Sequence, residues 1–341
     1  MITKTKPLPG KSGEYASKYI DLHLHLDGAV TVDIAKKLAS LQKIALPATE
    51  DRDLVRYLTV PADCRDLNSF LKCFDLPLSL MQTPQGLSEA VRLVADSCRE
   101  KGLVYAEIRW APQLHTAGGM TQEEALQAAL SGLKKTALKA NLILCFMRGQ
   151  GNEKENEETL RLAKKYLVQD GGLVALDLAG AEALFPTENY RELFARVKEE
   201  GIPFTIHAGE AAGAESVRHA LAFGARRIGH GVRACEDPAV LQLVQDGGAV
   251  LEMCPTSNRQ THALADMKDY PFMDFLSSGI KVTLNTDDPG IEGTTLADEY
   301  RYMEREFGLT AAQERILLAT ALDAAFTTEA VKAGLRVELG L

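Results

Sequence analysis

The chain has 341 residues, of which 46% are hydrophobic and 25% charged, values that suit a globular domain with a large core. Its 38 basic and 47 acidic side chains give a formal charge of −9 with no basic run, so no nucleic-acid or anionic-membrane partner is expected. No apolar run nears the ~20 residues of a membrane helix, Met1–Ser17 lacks the apolar centre of a signal peptide, and the six scattered cysteines form no C-x-x-C pair; the expectation is a cytoplasmic protein with reduced thiols.

In chain order, the first strand is expected over Tyr19–Asp27. Asp21, His23, His25 and Asp27 alternate there with Leu22, Leu24 and Leu26, and strand geometry sends alternate side chains to opposite faces. A leucine face toward helices and a His-x-His face toward an interior suit a barrel strand. Two imidazoles on one strand face make half of a typical zinc shell, although an isolated His-x-His is equally compatible with ordinary core histidines. Thr31 is placed to cap a helix whose apolar face is Val32, Ile34, Ala35, Leu38 and Leu41. From there to about residue 102 only helical patterns occur, including Asn68–Phe74. Its Phe70, Leu71 and Phe74 read either as core or as an apolar lid over the end of the first strand.

Beyond residue 103 short β-rich runs alternate with helix-length segments: Val104–Trp110, Leu142–Arg148, Val174–Leu178, Phe204–His207, Arg227–His230, Val250–Cys254 and Lys281–Asn285. With the first strand these make eight parallel strands with helical crossovers, which close most naturally into an α/β fold of the (β/α)8 TIM-barrel type. No linker or repeat divides the chain, so residues 1–341 are expected to be one domain, with about 30–102 as a helical insertion forming a lid. Such barrels work at the C-terminal ends of their strands. Here those ends carry His23, His25, Asp27, Glu107, Arg109, Arg148, Asp177, Gly180, His207, Glu210, His230, Glu252, Ser257, Asp287 and Asp288. Four of the seven histidines sort to strand ends, which structural histidines have no reason to do.

Three imidazoles (His23, His25, His207) and a carboxylate from strand eight suit one Zn²⁺, and the lack of a strand-four lysine able to bridge a second ion favours a single one. Glu210, three residues past His207, is placed to shuttle protons beside the metal without ligating it. His230, flanked by Gly229 and Gly231, can orient the attacking water. Of the adjacent Asp287 and Asp288, one can bind the cation and the other meet a hydrogen-bond donor. Glu107 and Arg109 read as a buried structural ion pair, Asp177 as an orienting or structural carboxylate, and His115 and His219 as surface or helix residues.

Six motifs in order, His-Leu-His-Leu-Asp-Gly-Ala (23–29), Asp-Leu-Ala-Gly (177–180), His-Ala-Gly-Glu (207–210), Gly-His-Gly (229–231), Cys-Pro-Thr-Ser-Asn (254–258) and Leu-Asn-Thr-Asp-Asp-Pro (284–289), resemble the adenosine deaminase family over about residues 19–310. The resemblance implies one zinc on His23, His25, His207 and Asp287, with Glu210 protonating N1 of a 6-aminopurine while His230 and Asp287 align the attacking hydroxide. It further implies Asp288 accepting a hydrogen bond from protonated N7 or nearby, the Gly180 N–H toward N3, Asp27 on the ribose, and Phe70–Phe74 around the entrance. Relatives acting on adenine or a futalosine-type nucleoside tend to have Glu at the position of Asp27, so the expected substrates are adenosine and 2′-deoxyadenosine, in purine salvage. The chain departs from the family pattern at Ala181, where an acid is expected, at His262, where glycine is common, and at Tyr270, where histidine is usual. None of these is expected to touch the metal shell, though His262 lies on a loop able to reach the sugar.

Overall fold

The structure, a computed structural model, describes residues 16–61 and 72–341. All eight expected strands form: β1 (Tyr19–His25), β2 (Leu103–Trp110), β3 (Lys139–Met147), β4 (Leu173–Ala179), β5 (Ile206–Ala208), β6 (Arg227–His230), β7 (Val250–Met253) and β8 (Lys281–Leu284). Each pairs in parallel with the next within two runs, β1 to β4 and β5 to β8. Two short seams close the ring. At one, Leu176 N and Thr205 N bond to Pro203 O and Leu176 O, both at 2.9 Å; at the other, His25 N bonds to Asp287 O and Asp287 N to His23 O, both at 2.8 Å. The expected (β/α)8 barrel is therefore present, and its second seam runs through three of the four expected metal ligands.

The strands are buried on both faces, as parallel strands covered by helices are. Outward residues such as Leu24, Ala106, Ile108, Leu142 and Leu144 meet the helices in one continuous apolar cluster. The barrel interior is instead a lattice of charge. Arg109 reaches Asp177 (2.9 Å) and Glu252 (2.7 Å), and Arg227 reaches Glu107 (2.6 Å) and Glu252, with every one of these side chains at most 2% exposed. Glu107 and Arg109 are thus buried ion-pair residues as expected, but not with each other. Neighbours two apart on a strand stand side by side, whereas an arginine reaching across the barrel meets a carboxylate head-on.

Three further expectations are corrected. Asp21 does not share the histidine face: a register shift between Asp21 and Leu24 marks a β-bulge, which puts two residues opposite one and turns the side chain. The Leu22 carbonyl accepts from Arg109 Nη2 (2.7 Å) and Arg227 Nη2 (3.0 Å). Asp21 lies with Leu24, Val94 and Cys98, accepts from Thr286 Oγ1 at 2.7 Å, and is raised by burial to about 7. His115 ends a short 3-10 turn, Pro112–His115, but is wholly buried, its Nδ1 donating to Met81 O (3.2 Å) and its ring edge-on to Trp110. Leu41 at the end of the first helix is left exposed, although Thr31 caps that helix through Ile34 N and Ile34, Ala35 and Leu38 are buried as the spacing requires.

Between β1 and β2 the described residues form helices at Val32–Gln42, Asp51–Leu54, Asp75–Ser79 and Pro84–Glu100 and no strand. Phe70 and Leu71 lie outside the described residues; Phe74 ends a 3-10 turn, Lys72–Phe74, at the mouth of the barrel. Among the described residues no helix is long and apolar enough to cross a membrane.

Candidate active site

His23 and His25 leave the end of β1, His207 the middle of β5, and Asp287 the loop three residues past β8. Their donor atoms converge. His23 Nε2 and His25 Nε2 lie 3.0 and 3.1 Å from His207 Nε2, and 3.1 and 3.3 Å from Asp287 Oδ1. Four donors at ~2.0–2.1 Å around a tetrahedral zinc stand ~3.3 Å apart, so these separations match the edges of such a shell. Imidazole nitrogens facing one another this closely present lone pairs to the same point, which a cation stabilises and an empty space does not. The donor set therefore fits the metal that the sequence predicts.

A second layer aims these ligands. Glu252 Oε2 lies 2.9 Å from His23 Nδ1, which fixes that ring with Nε2 free for the metal. Asp177 Oδ2 lies 2.9 Å from His207 Nδ1, out of line with the N–H direction, so it acts there as a close charge more than as an aligned acceptor. Ser257 Oγ donates to Asp287 Oδ2 at 2.7 Å. Gly229 makes room for the cluster, since a Cβ there would sit 2.9 Å from His23 Cε1 and 3.1 Å from the His207 Cα. Asp287 (φ 70) and His230 (φ 61) both hold the left-handed backbone that side chains other than glycine rarely adopt; strain of this kind collects where geometry is over-determined by function.

Charge is unevenly divided. Burial opposes the charge on Asp287, but His230 and His23 outweigh it and hold the carboxyl well below the usual range, while burial and then repulsion from Asp287 drive Asp288 well above it. One adjacent acid is thus suited to be an anionic ligand and the other a neutral donor; the sequence reading had Asp288 accepting from a donor, and burial together with repulsion from the Asp287 anion reverses that role. Asp288 is seated through Gly28, where a Cβ would fall 1.7 Å from its Oδ1. Burial pushes His207 down to about 3, with repulsion from His23 and His25 added, leaving it the neutral imidazole that a metal requires.

Glu210 follows β5 on a turn, its side chain 21% exposed and 3.5 Å from His230 Nε2. Burial raises its pKa, with repulsion from Asp287 and Glu182 adding to the effect. Thr261 Oγ1 donates to its Oε1 at 2.9 Å. His230 Nε2 also faces Asp287 Oδ2 at 3.6 Å. Beside this group opens a cleft of about 290 Å³ lined by His25, Asp27, Gly180 and Asp288, with Phe74, Leu78 and Leu114 among its apolar walls. Every described residue expected in the site is thus at one place.

The sequence reading did not single out Glu182, which accepts from four successive backbone N–H groups, Gly209 (2.6 Å), Glu210 (3.1 Å), Ala211 (2.8 Å) and Ala212 (3.0 Å), and so folds the turn that carries Glu210. It sits one residue past Ala181, where an acid was expected, and the available signal was a carboxylate just past Gly180. His262 is exposed and does not line the cleft; its φ of 55° explains why glycine is common there. Tyr270 is buried and reaches the site indirectly, through Asn258.

Residues 19–340 match the family model described as Adenosine deaminase. The chain belongs to the adenosine deaminase family. It is 49% identical over 322 residues to an adenosine deaminase of Haemophilus ducreyi, covering 93% of this chain and 94% of that one. It is 36% identical over 311 residues to an adenosine deaminase of Enterococcus faecalis, covering 90% and 91%. Among solved structures it resembles the adenine deaminase of Arthrobacter aurescens with a TM-score of 0.82 at 26% identity, covering 94% and 98%. Membership of the adenosine deaminase family makes the chain an aminohydrolase enzyme, and the convergent cluster above lies where such barrels place their chemistry.

Proposed function

We propose that the protein removes the 6-amino group of adenosine and 2′-deoxyadenosine by hydrolysis, giving inosine and 2′-deoxyinosine with release of ammonia, a purine-salvage reaction. The observation that carries this reading is the set of four donor atoms 3.0–3.3 Å apart, with the Glu210 carboxyl and the cleft directly beside them. His23, His25, His207 and Asp287 would hold one zinc ion. Zinc when bound supplies Lewis acidity that acidifies water toward neutral pH.

The chain's own residues do the rest. Glu210, pushed by burial toward its protonated form, protonates the ring nitrogen N1 and so makes C6 electron-poor. His230 and Asp287 face the same point from two sides and orient the water that adds to C6. Protonated Asp288 donates toward N7, and the Gly180 N–H meets N3, so the purine edge is read by one side chain and one backbone group. Asp27, on the cleft wall, accepts from the ribose. Phe74, Leu78 and Leu114 cover the apolar face of the base, with the segment of about 30–102 acting as a lid over residues that work as one domain.

The likeness to an adenine deaminase supports a second reading, action on the free base or on a nucleoside modified at the 5′ position. Zinc-loaded protein is incubated with adenosine, 2′-deoxyadenosine, adenine and a 5′-modified adenosine while the adenine absorbance is followed. Fastest turnover of adenosine is expected, and Asp27→Glu should move the ratio toward adenine. Turnover of adenine alone replaces the first reading with the second, and inertness toward all four removes both.

A further inference from the structure

His230 carries its chemistry on Nε2, yet which ring nitrogen bears the hydrogen is decided on the other side of the ring. His230 Nδ1 lies 3.1 Å from Asn258 Nδ2, and Asn258 Oδ1 accepts from the Tyr270 hydroxyl at 3.0 Å. The three side chains are 1%, 0% and 4% exposed, so water offers none of them an alternative partner. An amide can point either way, and each orientation enforces a different imidazole tautomer. The tyrosine settles the choice. Its buried O–H requires an acceptor, and the Asn258 oxygen is the one within reach; reversing the amide would set N–H against O–H and strand the hydroxyl hydrogen. With the oxygen end held by Tyr270, the nitrogen end donates to His230 Nδ1. Its hydrogen must then sit on Nε2, facing Glu210 and Asp287.

We propose that Tyr270 and Asn258 are positioning residues that lock His230 in its Nε2–H tautomer, the form able to direct a hydrogen toward the attacking water. Tyr270 stands where the family more usually has histidine and does not line the cleft, and its hydroxyl is joined to His230 through Asn258. The backbone supports the same chain of contacts: Asn258 belongs to the helix Pro255–Gln260, whose neighbouring Ser257 bonds to Asp287 and whose cap Thr261 bonds to Glu210.

This inference rests on the proposed role of His230 in deamination, and the test separates the two. Zinc-loaded enzyme labelled with ¹⁵N-histidine is compared by NMR as wild type, Tyr270→Phe and Asn258→Asp, with the His230 signals assigned by their loss in His230→Gln. Wild type should show a protonated Nε2 and an unprotonated Nδ1. Tyr270→Phe should bind zinc as before, show a mixture of His230 tautomers, and lose about tenfold in kcat with KM within about twofold, the scale typical of groups that orient a site residue. Asn258→Asp, nearly the same shape, should move the hydrogen to Nδ1 and lose more, and it carries the test alone if Tyr270→Phe does not fold. A wild-type spectrum with the hydrogen on Nδ1, or variants with an unchanged His230 signal and kcat within twofold of wild type, overturns the inference. Wild-type protein inert toward adenosine would instead overturn the functional reading and leave the tautomer assignment standing.

Discussion

Glu210 and the Asp287–Asp288 pair illustrate how one small region gives three carboxyl groups different duties. Asp287 is stabilised as an anion by the imidazoles around it, while buried Asp288 and partly exposed Glu210 stand beside that same anion and are pushed toward their protonated forms. Environment, not residue type, sets their charge states apart, which suits the ligand and donor roles proposed for them. Glu210→Gln keeps the shape and loses the transferable proton, so kcat should fall by roughly 10²–10⁴ while zinc content by elemental analysis stays at that of wild type. An active Gln variant would remove Glu210 from the proton path. Gly28→Ala presses its new methyl group onto Asp288 Oδ1. If Asp288 reads the base and does not hold the metal, as proposed, KM for adenosine should rise while zinc content stays near that of wild type.

Local elements deliver these side chains through their loops. The turn after β5 is folded by a single carboxylate, Glu182, which also accepts from Ser216 Oγ and so ties the turn to the helix Ala214–Phe223. Glu182→Ala leaves four backbone donors without their acceptor; a loss of about 3 kcal/mol and a fall in kcat exceeding the change in KM are expected, read from urea unfolding and steady-state kinetics. The loop after β7 is held in the same manner by Glu299, which accepts from Thr256 N (3.0 Å) and Thr294 Oγ1 (2.5 Å). Burial raises Glu299 from 4.5 to about 7, so the folded state binds this proton more tightly than the unfolded chain. Below pH 4.5 both states are protonated and there is no penalty. Between 4.5 and 7 the unfolded state ionises first and stability falls, and above 7 the full cost persists. Glu299→Gln cannot ionise, so its stability relative to wild type should improve across that window by at most about 3 kcal/mol and then level off. A difference that does not vary with pH would show that Glu299 carries no such cost.

On the scale of the whole barrel, the site stands on a buried ionic floor. Arg109 and Arg227 sit among Glu107, Asp177 and Glu252, and two of those carboxylates also touch metal-site histidines. The floor and the site therefore share atoms: Glu252 meets both arginines and His23, and a change at the base of the barrel reaches the ligand shell through one residue. Arg227→Met leaves Glu107 and Glu252 short of a counter-charge inside the barrel, for which a cost of about 3–5 kcal/mol is expected. The urea midpoint should drop accordingly, with zinc affinity reduced as well; Arg227→Met with Glu107→Gln should recover part of the loss. A single variant as stable as wild type would mean that the lattice is not what holds the interior.

How much of this was legible follows from the range of each interaction. Strand identity is a local property: alternation and β-rich runs between helix-length segments are written in neighbouring residues, and the eight strands, the barrel and the sorting of histidines to strand ends could all be read from them. That three imidazoles and a strand-eight carboxylate would converge could be anticipated as well, because barrel topology restricts where they can stand; the choice of Asp287 over Asp288 came from the family resemblance. The tertiary structure alone decided which way Asp21 faces, because a bulge is one residue's shift against a neighbour eighty positions away. It also decided that Glu107 and Arg109 ignore each other, that His115 is buried, that Glu182 folds the turn bearing Glu210, and that Tyr270 reaches His230 through Asn258. Those contacts join residues far apart in the chain, and only closure of the barrel brings their atoms within the three ångströms at which hydrogen bonds and ion pairs act.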